Sequence, residues 1–494
     1  MRNRRNTIGL NWFSIVVILV AIALLMVELI AFSRSRITYP LGLRIGGVPV
    51  GNLNRQASAE KLLEVYNQPI ELHYNNEAIH LNPATVGFEL NLESMLAAAD
   101  LTRTGGPFWS EFWDYLWASQ SNPRQVPLDA NFSESQLRTY LSEEISPRYD
   151  LAAIPPRPIA GSVDYAPGVP GTTVDIDIAI FQIENALKSP NKRLVTLTLG
   201  NTTAGRPSFQ NLEILLKQTV DLAGYDGIAG TYLLDLQTGA ELHFAYQQGI
   251  DLSISPDVPF SAISTIKIPI MISTYRRLGD PPAEEAINLL SGMITASGND
   301  PADWVMEQFI DEIRGPLEVT SDMQALGLEN TFLAGYFRLG SPLLARYETP
   351  ANSRIDVDTD LDPYNQTTLS DMGTLLSDLY QCEQYGGGAL VAVFPNEITQ
   401  SECRDMVTFL TRNDTPFLIE AGTPEGTRIA HKHGWASDNT GAIRTMGDAG
   451  IVYTPSGDYV LVFYFYHPVQ IIWDPVSTLI GDLSRAIYNY YNLP

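Results

Sequence analysis

The apolar run from Trp12 to Phe32, broken only by Ser14 and Glu28, sets the first limit on what this chain can fold into. Its ~20 residues match the length of a helix that crosses the hydrocarbon of a bilayer. A helix that is apolar all round has no face to give to water, so it needs lipid or a large core around it. Arg2, Arg4 and Arg5 precede the run, and a basic flank favours cytoplasmic retention of the first residues. Arg34 and Arg36 on the far side work against that orientation. A cleavable signal has a shorter apolar core of roughly 7–15 residues. Residues 1–36 therefore read as a cytoplasmic tip and an uncleaved, single-pass membrane anchor, with the bulk of the chain extracytoplasmic. Cleavage near Ala31 and Ser33 is the alternative.

The remaining chain has to fold in water. Its 494 residues, 45% hydrophobic and 18% charged, suit about three globular domains. The net charge of −25 excludes nucleic acid as a partner, because phosphates would repel it. The two cysteines, Cys382 and Cys403, and the six scattered histidines do not form a zinc-binding pattern. Neither a metal nor a cofactor is expected. The cysteines form one disulfide or remain two buried thiols, and the sequence leaves both open.

Two small α+β modules are expected after the anchor, over residues 37–127 and 128–204. The first has a strand near Leu43–Val50, a helix from Ala57 to Tyr66, and a hairpin turning at Asn75-Asn76. Val86–Leu90 and an Ala-rich helix to Ala99 follow. Trp109, Phe112, Trp113 and Trp117 recur at helical spacing and read as the cover of a core or a domain contact. Pro123 and Pro127 close the module. The second module has a helix from Glu134 to Glu144, a Pro-rich stretch, a glycine turn at Gly168–Asp175, a helix to Leu187 and a strand at Arg193–Leu199. The phrases Val86–Ala99 and Gly171–Leu187 share one plan, a weak internal repeat. The opening Ile45–Gly51 and the turn Gly168–Asp175 resemble the peptidoglycan-binding modules ahead of VanW-like and YoaR-like wall proteins. That resemblance implies wall binding. A spacer lifting the next domain off the membrane is the alternative.

Residues 205–494 carry the chemistry. After a strand hairpin over Gly230–Tyr246 comes Ser264-Thr265-Ile266-Lys267 and the apolar run Ile268–Ile272. Positions i and i+3 share a helix face, so the Lys267 amine can reach the Ser264 hydroxyl. Serine is a weak nucleophile until a base removes its proton. Desolvation on an apolar helix lowers a lysine pKa toward that role. The pattern alone is common: Ser58-Ala59-Glu60-Lys61 also fits it, in a stretch that reads as an exposed helix start. The second copy is set apart by the motifs after it. Ser297-Gly298-Asn299 follows a helical run, and His431-Lys432-His433-Gly434-Trp435 opens a strand meander.

This ordered set resembles the serine hydrolases of the β-lactamase and penicillin-binding-protein superfamily, of the class A kind. The resemblance implies an α+β fold with a five-stranded antiparallel sheet flanked by helices. It implies Ser264 as nucleophile, Lys267 as base and Ser297 as proton relay. Asn299, Lys432, His433 and Gly434 would bind substrate, and the N–H groups of Trp435 and Ser264 would form an oxyanion hole. Gly298 stands where class A enzymes usually have aspartate, and His433 where they have threonine or serine. His433 would donate a hydrogen bond to a substrate carboxylate and add pH dependence. The literal Ser437-Asp438-Asn439 comes after the third motif and reads as a loop between strands. Arg346-Tyr347-Glu348-Thr349-Pro350-Ala351-Asn352 resembles the loop that carries the water-activating glutamate, which would be Glu348. An acidic surface loop is the alternative. The expected function is acyl-enzyme formation on a β-lactam or a D-Ala-D-Ala-like wall peptide. The competing expectation is a catalytically idle, peptidoglycan-binding wall protein.

Overall fold

The computed structural model describes residues 12–117, 125–279, 281–412 and 417–493. Arg2, Arg4, Arg5 and Pro123 lie outside them. Helix α1 (Trp12–Ser35) is long and apolar enough to cross a membrane. Nearly all of it is exposed, and Phe32 is its one buried residue.

The chain divides into two compact units, Met1–Ile154 with Pro170–Thr203, and Pro155–Val169 with Ala204–Pro494. The expected boundary at 127/128 does not separate two cores. Ile45, Leu72, Leu137, Leu141, Val174 and Ile183 belong to one buried cluster. The strand pairing explains why. Arg44–Ile45 pairs in parallel with Gln125–Val126, and Ile70–Tyr74 pairs in parallel with Leu194–Thr196. Strands this short cannot bury a face alone, so they recruit partners from distant sequence. The hairpin at Asn75-Asn76 is present, with Asn75 at φ 51°. Helix α2 (Phe108–Leu116) holds the aromatic repeat, but only Phe112 is buried. Trp109, Trp113 and Trp117 are exposed, so they do not cover a core.

In the second unit, helix α3 (Phe209–Leu222) precedes β1 (Ile228–Asp235), β2 (Glu241–Gln247) and β3 (Ile250–Leu252). Helices α4 (Lys267–Tyr275), α5 (Asn299–Val305), α6 (Leu369–Tyr385) and α7 (Gln400–Leu410) follow. Then come β4 (Arg428–Ser437), β5 (Ile443–Tyr453), β6 (Tyr459–Tyr466) and helix α8 (Trp473–Tyr491). The sheet is antiparallel throughout, in the order β3-β2-β1-β6-β5-β4. It has six strands where five were expected. The extra strand is β3, joined to β2 by Gln248 and Gly249, both at positive φ (46° and 83°), the geometry of a tight hairpin turn.

Strand β6 shows how the layers form. All eight of its residues are buried. Tyr459, Leu461, Phe463 and Phe465 enter a cluster with α3 and α8, while Val460, Val462, Tyr464 and Tyr466 enter one with α4 and α6. An unbroken apolar run is what a strand covered on both faces requires. Each such side chain contributes about 1.5–3 kcal/mol relative to exposure.

Cys382 on α6 and Cys403 on α7 form a disulfide. It closes a loop with a sequence separation of 21. Chain-entropy arguments give a loop of this size about 3 kcal/mol. Reduction with dithiothreitol should lower the urea midpoint accordingly, and an unchanged midpoint would contradict that figure.

Candidate active site

From Asp257 to Tyr275 every residue is buried except Ser264, which is partly open to solvent. Ser264 sits in a 3₁₀ turn, Ile263–Ile266, that runs into α4. Thr265 ties this turn to the sheet: its hydroxyl bonds the Ala262 carbonyl and lies 2.6 Å from the Tyr464 hydroxyl on β6. Ile263 has φ +49°, a conformation that costs a β-branched residue energy. Ser297, at φ +56°, is also left-handed. Such strain is held only where the surroundings over-determine it, and it gathers at functional sites.

Lys267 is wholly buried, and its Nζ is the hub. It lies 3.1 Å from Ser264 Oγ and 3.3 Å from Ser297 Oγ. It donates to the Ser297 carbonyl at 2.7 Å and to Asn299 Oδ1 at 3.0 Å. The first two motifs therefore converge on one amine. Burial pushes that amine down to about 7, and the positive charge of Lys432 pushes the same way, against the pull of Asp303. A lysine near 7 can accept a hydroxyl proton at neutral pH.

The third motif lies on β4, an edge strand. Side chains alternate along it. Ala430 joins the cluster with α4 and α6, and Ile429 joins the one with α3 and α8. Lys432 and Gly434 thus share the face toward Ser264, and His431, His433 and Trp435 share the other. A Cβ built on Gly434 would stand 2.6 Å from Ser264 N and 2.9 Å from its Cβ. Only glycine lets the strand come this close. Gly434→Ala should displace Ser264 and slow acylation about 10²-fold, the usual result of an ångström of misplacement. Labelling kinetics with a fluorescent penicillin would read this, and a wild-type rate would refute it.

Lys432 is wholly buried, donates to the His433 carbonyl at 3.1 Å, and is brought by burial to about 8 against the pull of Asp448. His433 does not meet the expectation of a carboxylate donor beside Ser264. Its ring is on the opposite face, stacked on Trp435 with centroids 5.9 Å apart. Burial pushes it down to about 4, so it stays neutral near pH 7 and adds no pH dependence there. The Trp435 ring is half-exposed and meets Trp473 edge-on at 4.8 Å.

Glu348 is exposed on its loop, and the hydrogen bonds of Lys267 do not include it. Asn352 organises that loop, accepting from Thr349 N and donating to the Tyr347 carbonyl and to Gln366. Asp303 is a carboxylate whose charge acts on Lys267, and sequence reasoning missed it. It is one helical turn beyond Asn299, a spacing that offered a signal. Its oxygens accept the N–H groups of Phe337 (2.8 Å) and Arg338 (2.9 Å). This places the Phe337 ring over Lys267, with Nζ 5.5 Å from the centroid.

The two look-alike motifs are structural. Ser58 is buried rather than exposed, and Lys61 donates to the Pro49 carbonyl at 2.8 Å. Asp438 caps the loop between β4 and β5 by accepting from Thr440 and Ala442 N–H groups. Among the described residues no cluster of histidine, cysteine and carboxylates could hold a metal.

Residues 280–491 match the family model described as the β-lactamase enzyme family. No curated protein matches the chain. Solved structures similar to it include PBP-A, 23% identical, with 58% of this chain and 98% of that one covered at a TM-score of 0.41. A β-lactamase from Sphaerobacter thermophilus DSM 20745 is 18% identical over 58% of this chain and 99% of that one, at 0.41. The ancestral GNCA class A β-lactamase is 20% identical over 56% and 99%, at 0.39. The C-terminal unit is an α+β fold with a helix-flanked antiparallel sheet, and residues 280–491 within it are similar to the β-lactamase enzyme family.

Proposed function

We propose that this chain is a membrane-anchored, extracytoplasmic serine acyl-transfer enzyme acting on a β-lactam or a D-Ala-D-Ala-like wall peptide. The observation that carries the reading is the Lys267 amine, buried and shared by Ser264, Ser297 and Asn299. In the proposed step neutral Lys267 takes the Ser264 proton as Oγ attacks the amide carbonyl. The Ser264 and Trp435 N–H groups stabilise the oxyanion. Ser297 passes a proton to the leaving nitrogen, and an ester remains on Ser264. Lys432 supplies positive charge for the substrate carboxylate, and Asn299 holds a substrate amide. The anchor reading rests on α1, and the disulfide is in keeping with an oxidising compartment.

The surroundings of Lys267 favour a long-lived acyl-enzyme over rapid β-lactam hydrolysis. An aromatic ring, not a free carboxylate, covers the amine, and Glu348 faces solvent. A fluorescent penicillin should label the full chain covalently and stay attached through many minutes of chase. Glu348→Gln should leave the decay of that label unchanged. A lifetime that lengthens greatly in this variant would restore Glu348 as the base. Absence of any labelling would leave the idle wall-binding reading. For the N-terminal unit we propose wall binding, on the glycine-turn resemblance. The Ser264→Ala chain should sediment with purified peptidoglycan, and a chain left in the supernatant would make this unit a spacer.

A further inference from the structure

Helix α2 has a face that its own fold does not cover. At 100° per residue, Phe108, Phe112 and Tyr115 form one side, and Trp109, Trp113, Leu116 and Trp117 continue it. Ser110, Glu111 and Asp114 fill the remaining arc. The first side is taken. Phe32, in the last turn of α1, meets the rings of Phe108, Phe112 and Tyr115 at 5.3, 5.5 and 5.3 Å. Arg36 strengthens the joint, lying 5.2 Å above the Phe108 ring and 3.6 Å from Glu111. The second side is open: Trp109, Trp113 and Trp117 are 61%, 53% and 79% exposed.

We infer that this tryptophan stripe lies in the outer interface of the bilayer and holds the N-terminal unit against the lipid headgroups. The inference rests on α1 being a membrane anchor. A helix of 24 residues is about 36 Å long, while the hydrocarbon is about 30 Å thick. Phe32 therefore falls at the level where acyl chains give way to headgroups, and the aromatic joint fixes α2 at that same level. Tryptophan prefers this layer, because its ring is apolar and its indole N–H can still find a polar partner. Three large exposed rings on one short helix would otherwise be an aggregation liability. The chain's strongly negative charge gives a reason for the device, since an acidic protein gains nothing from an anionic lipid surface. Apolar contact has to supply the attachment instead. Glu111 and Asp114 turn away from the stripe, as the polar side must for a helix lying flat in an interface, while Ser110 borders Trp117.

The native cysteines are joined to each other, so an added cysteine gives one labelling site. Full-length Trp113→Cys, Asp114→Cys and Ile22→Cys chains, each carrying an environment-sensitive fluorophore, would be reconstituted into phosphatidylcholine vesicles. Nitroxide lipids would then report depth. The Trp113→Cys probe should be blue-shifted and lose most of its emission to a nitroxide near the headgroup. The Asp114→Cys probe should be quenched from water, and the Ile22→Cys probe by a nitroxide deep in the acyl chain. Trp109→Cys should repeat the Trp113→Cys result, which guards against one variant misfolding. If the Trp113→Cys and Trp109→Cys probes are as wet as Asp114→Cys while Ile22→Cys is deep, the inference fails and the anchor stands. If all four are in water, the anchor reading fails and takes the inference with it.

Discussion

Ser264→Ala is expected to abolish covalent labelling by a fluorescent penicillin, and Lys267→Ala to slow it by about 10³-fold, within the range for loss of a general base. The two losses differ in kind. The first removes the atom that forms the ester. The second leaves the atom but strands its proton. The pH profile separates base from bystander. Burial and the charge of Lys432 hold Lys267 down to about 7, so the neutral, proton-accepting form grows as pH rises through 7. Lys432, brought to about 8 by burial, loses its charge above that value and with it the hold on the substrate carboxylate. Labelling rate should therefore peak between the two, with an acidic limb set by Lys267 and an alkaline limb set by Lys432. Because the Lys432 charge lowers the Lys267 pKa, Lys432→Gln should move the acidic limb to higher pH. An acidic limb that stays in place would show that the two amines do not interact. Equal labelling of Ser264→Ala and wild type would remove Ser264 from the reaction.

Much of this site was legible because its motifs are local. Ser264 and Lys267 share one turn, Ser297 and Asn299 one loop-to-helix junction, and Lys432 and Gly434 one strand face, so spacing alone predicts their neighbours. The order of the three motifs carried the rest. What stayed hidden came from contacts across long stretches of chain. Phe337 stands over Lys267 because Asp303, 34 residues earlier, binds its N–H. No periodicity reports such a meeting. Glu348 fitted a loop pattern, but a pattern does not say which way a side chain on an irregular loop points. His433 stayed hidden for a simpler reason: strand alternation puts the neighbours of Lys432 on the far face, which consecutive letters of a motif do not display. The aromatic repeat on α2 showed the helix but not that its tryptophans are exposed, because which arc is covered depends on Phe32, 76 residues before Phe108. The strand β3 was overlooked because Gln248 is not a usual residue for a left-handed turn position.

The second large effect is on stability. Asp448→Ala should cost about 3–5 kcal/mol, the range for removing one partner of a buried ion pair. Asp448, on β5, is wholly buried and lies 2.9 Å from His431 Nδ1, with its other oxygen at 3.0 Å. It also accepts the Ile419 N–H at 3.1 Å. Burial alone would discharge both groups. Burial pulls the His431 pKa down, but the Asp448 charge and hydrogen bond, with help from Glu420, raise it to about 9. Burial raises Asp448, yet His431 and the Ile419 N–H hold it below the ordinary carboxylate range. The signs fix the pH window. A depressed carboxylate contributes stability above its unfolded pKa and loses it as pH falls through the folded value. A raised histidine contributes fully below about 6.5 and loses that contribution as pH rises through about 9. The pair should therefore stabilise most between about pH 4 and 6.5, and the gap between wild type and Asp448→Ala should narrow toward alkaline pH. Urea unfolding at about pH 6 and again above pH 9 measures this directly. The double variant His431→Leu with Asp448→Leu completes the test, because it leaves no stranded charge. It should recover much of the loss, as buried pairs replaced by apolar groups commonly do. A single variant within about 1 kcal/mol of wild type would mean that the pair is not held as a charged unit. The pair joins β5 to β4, the strand that carries Lys432 and Gly434, so its loss should also slow acylation under conditions where the chain is still folded. That second readout ties the buried charge to the placement of β4 against Ser264 rather than to the fold alone.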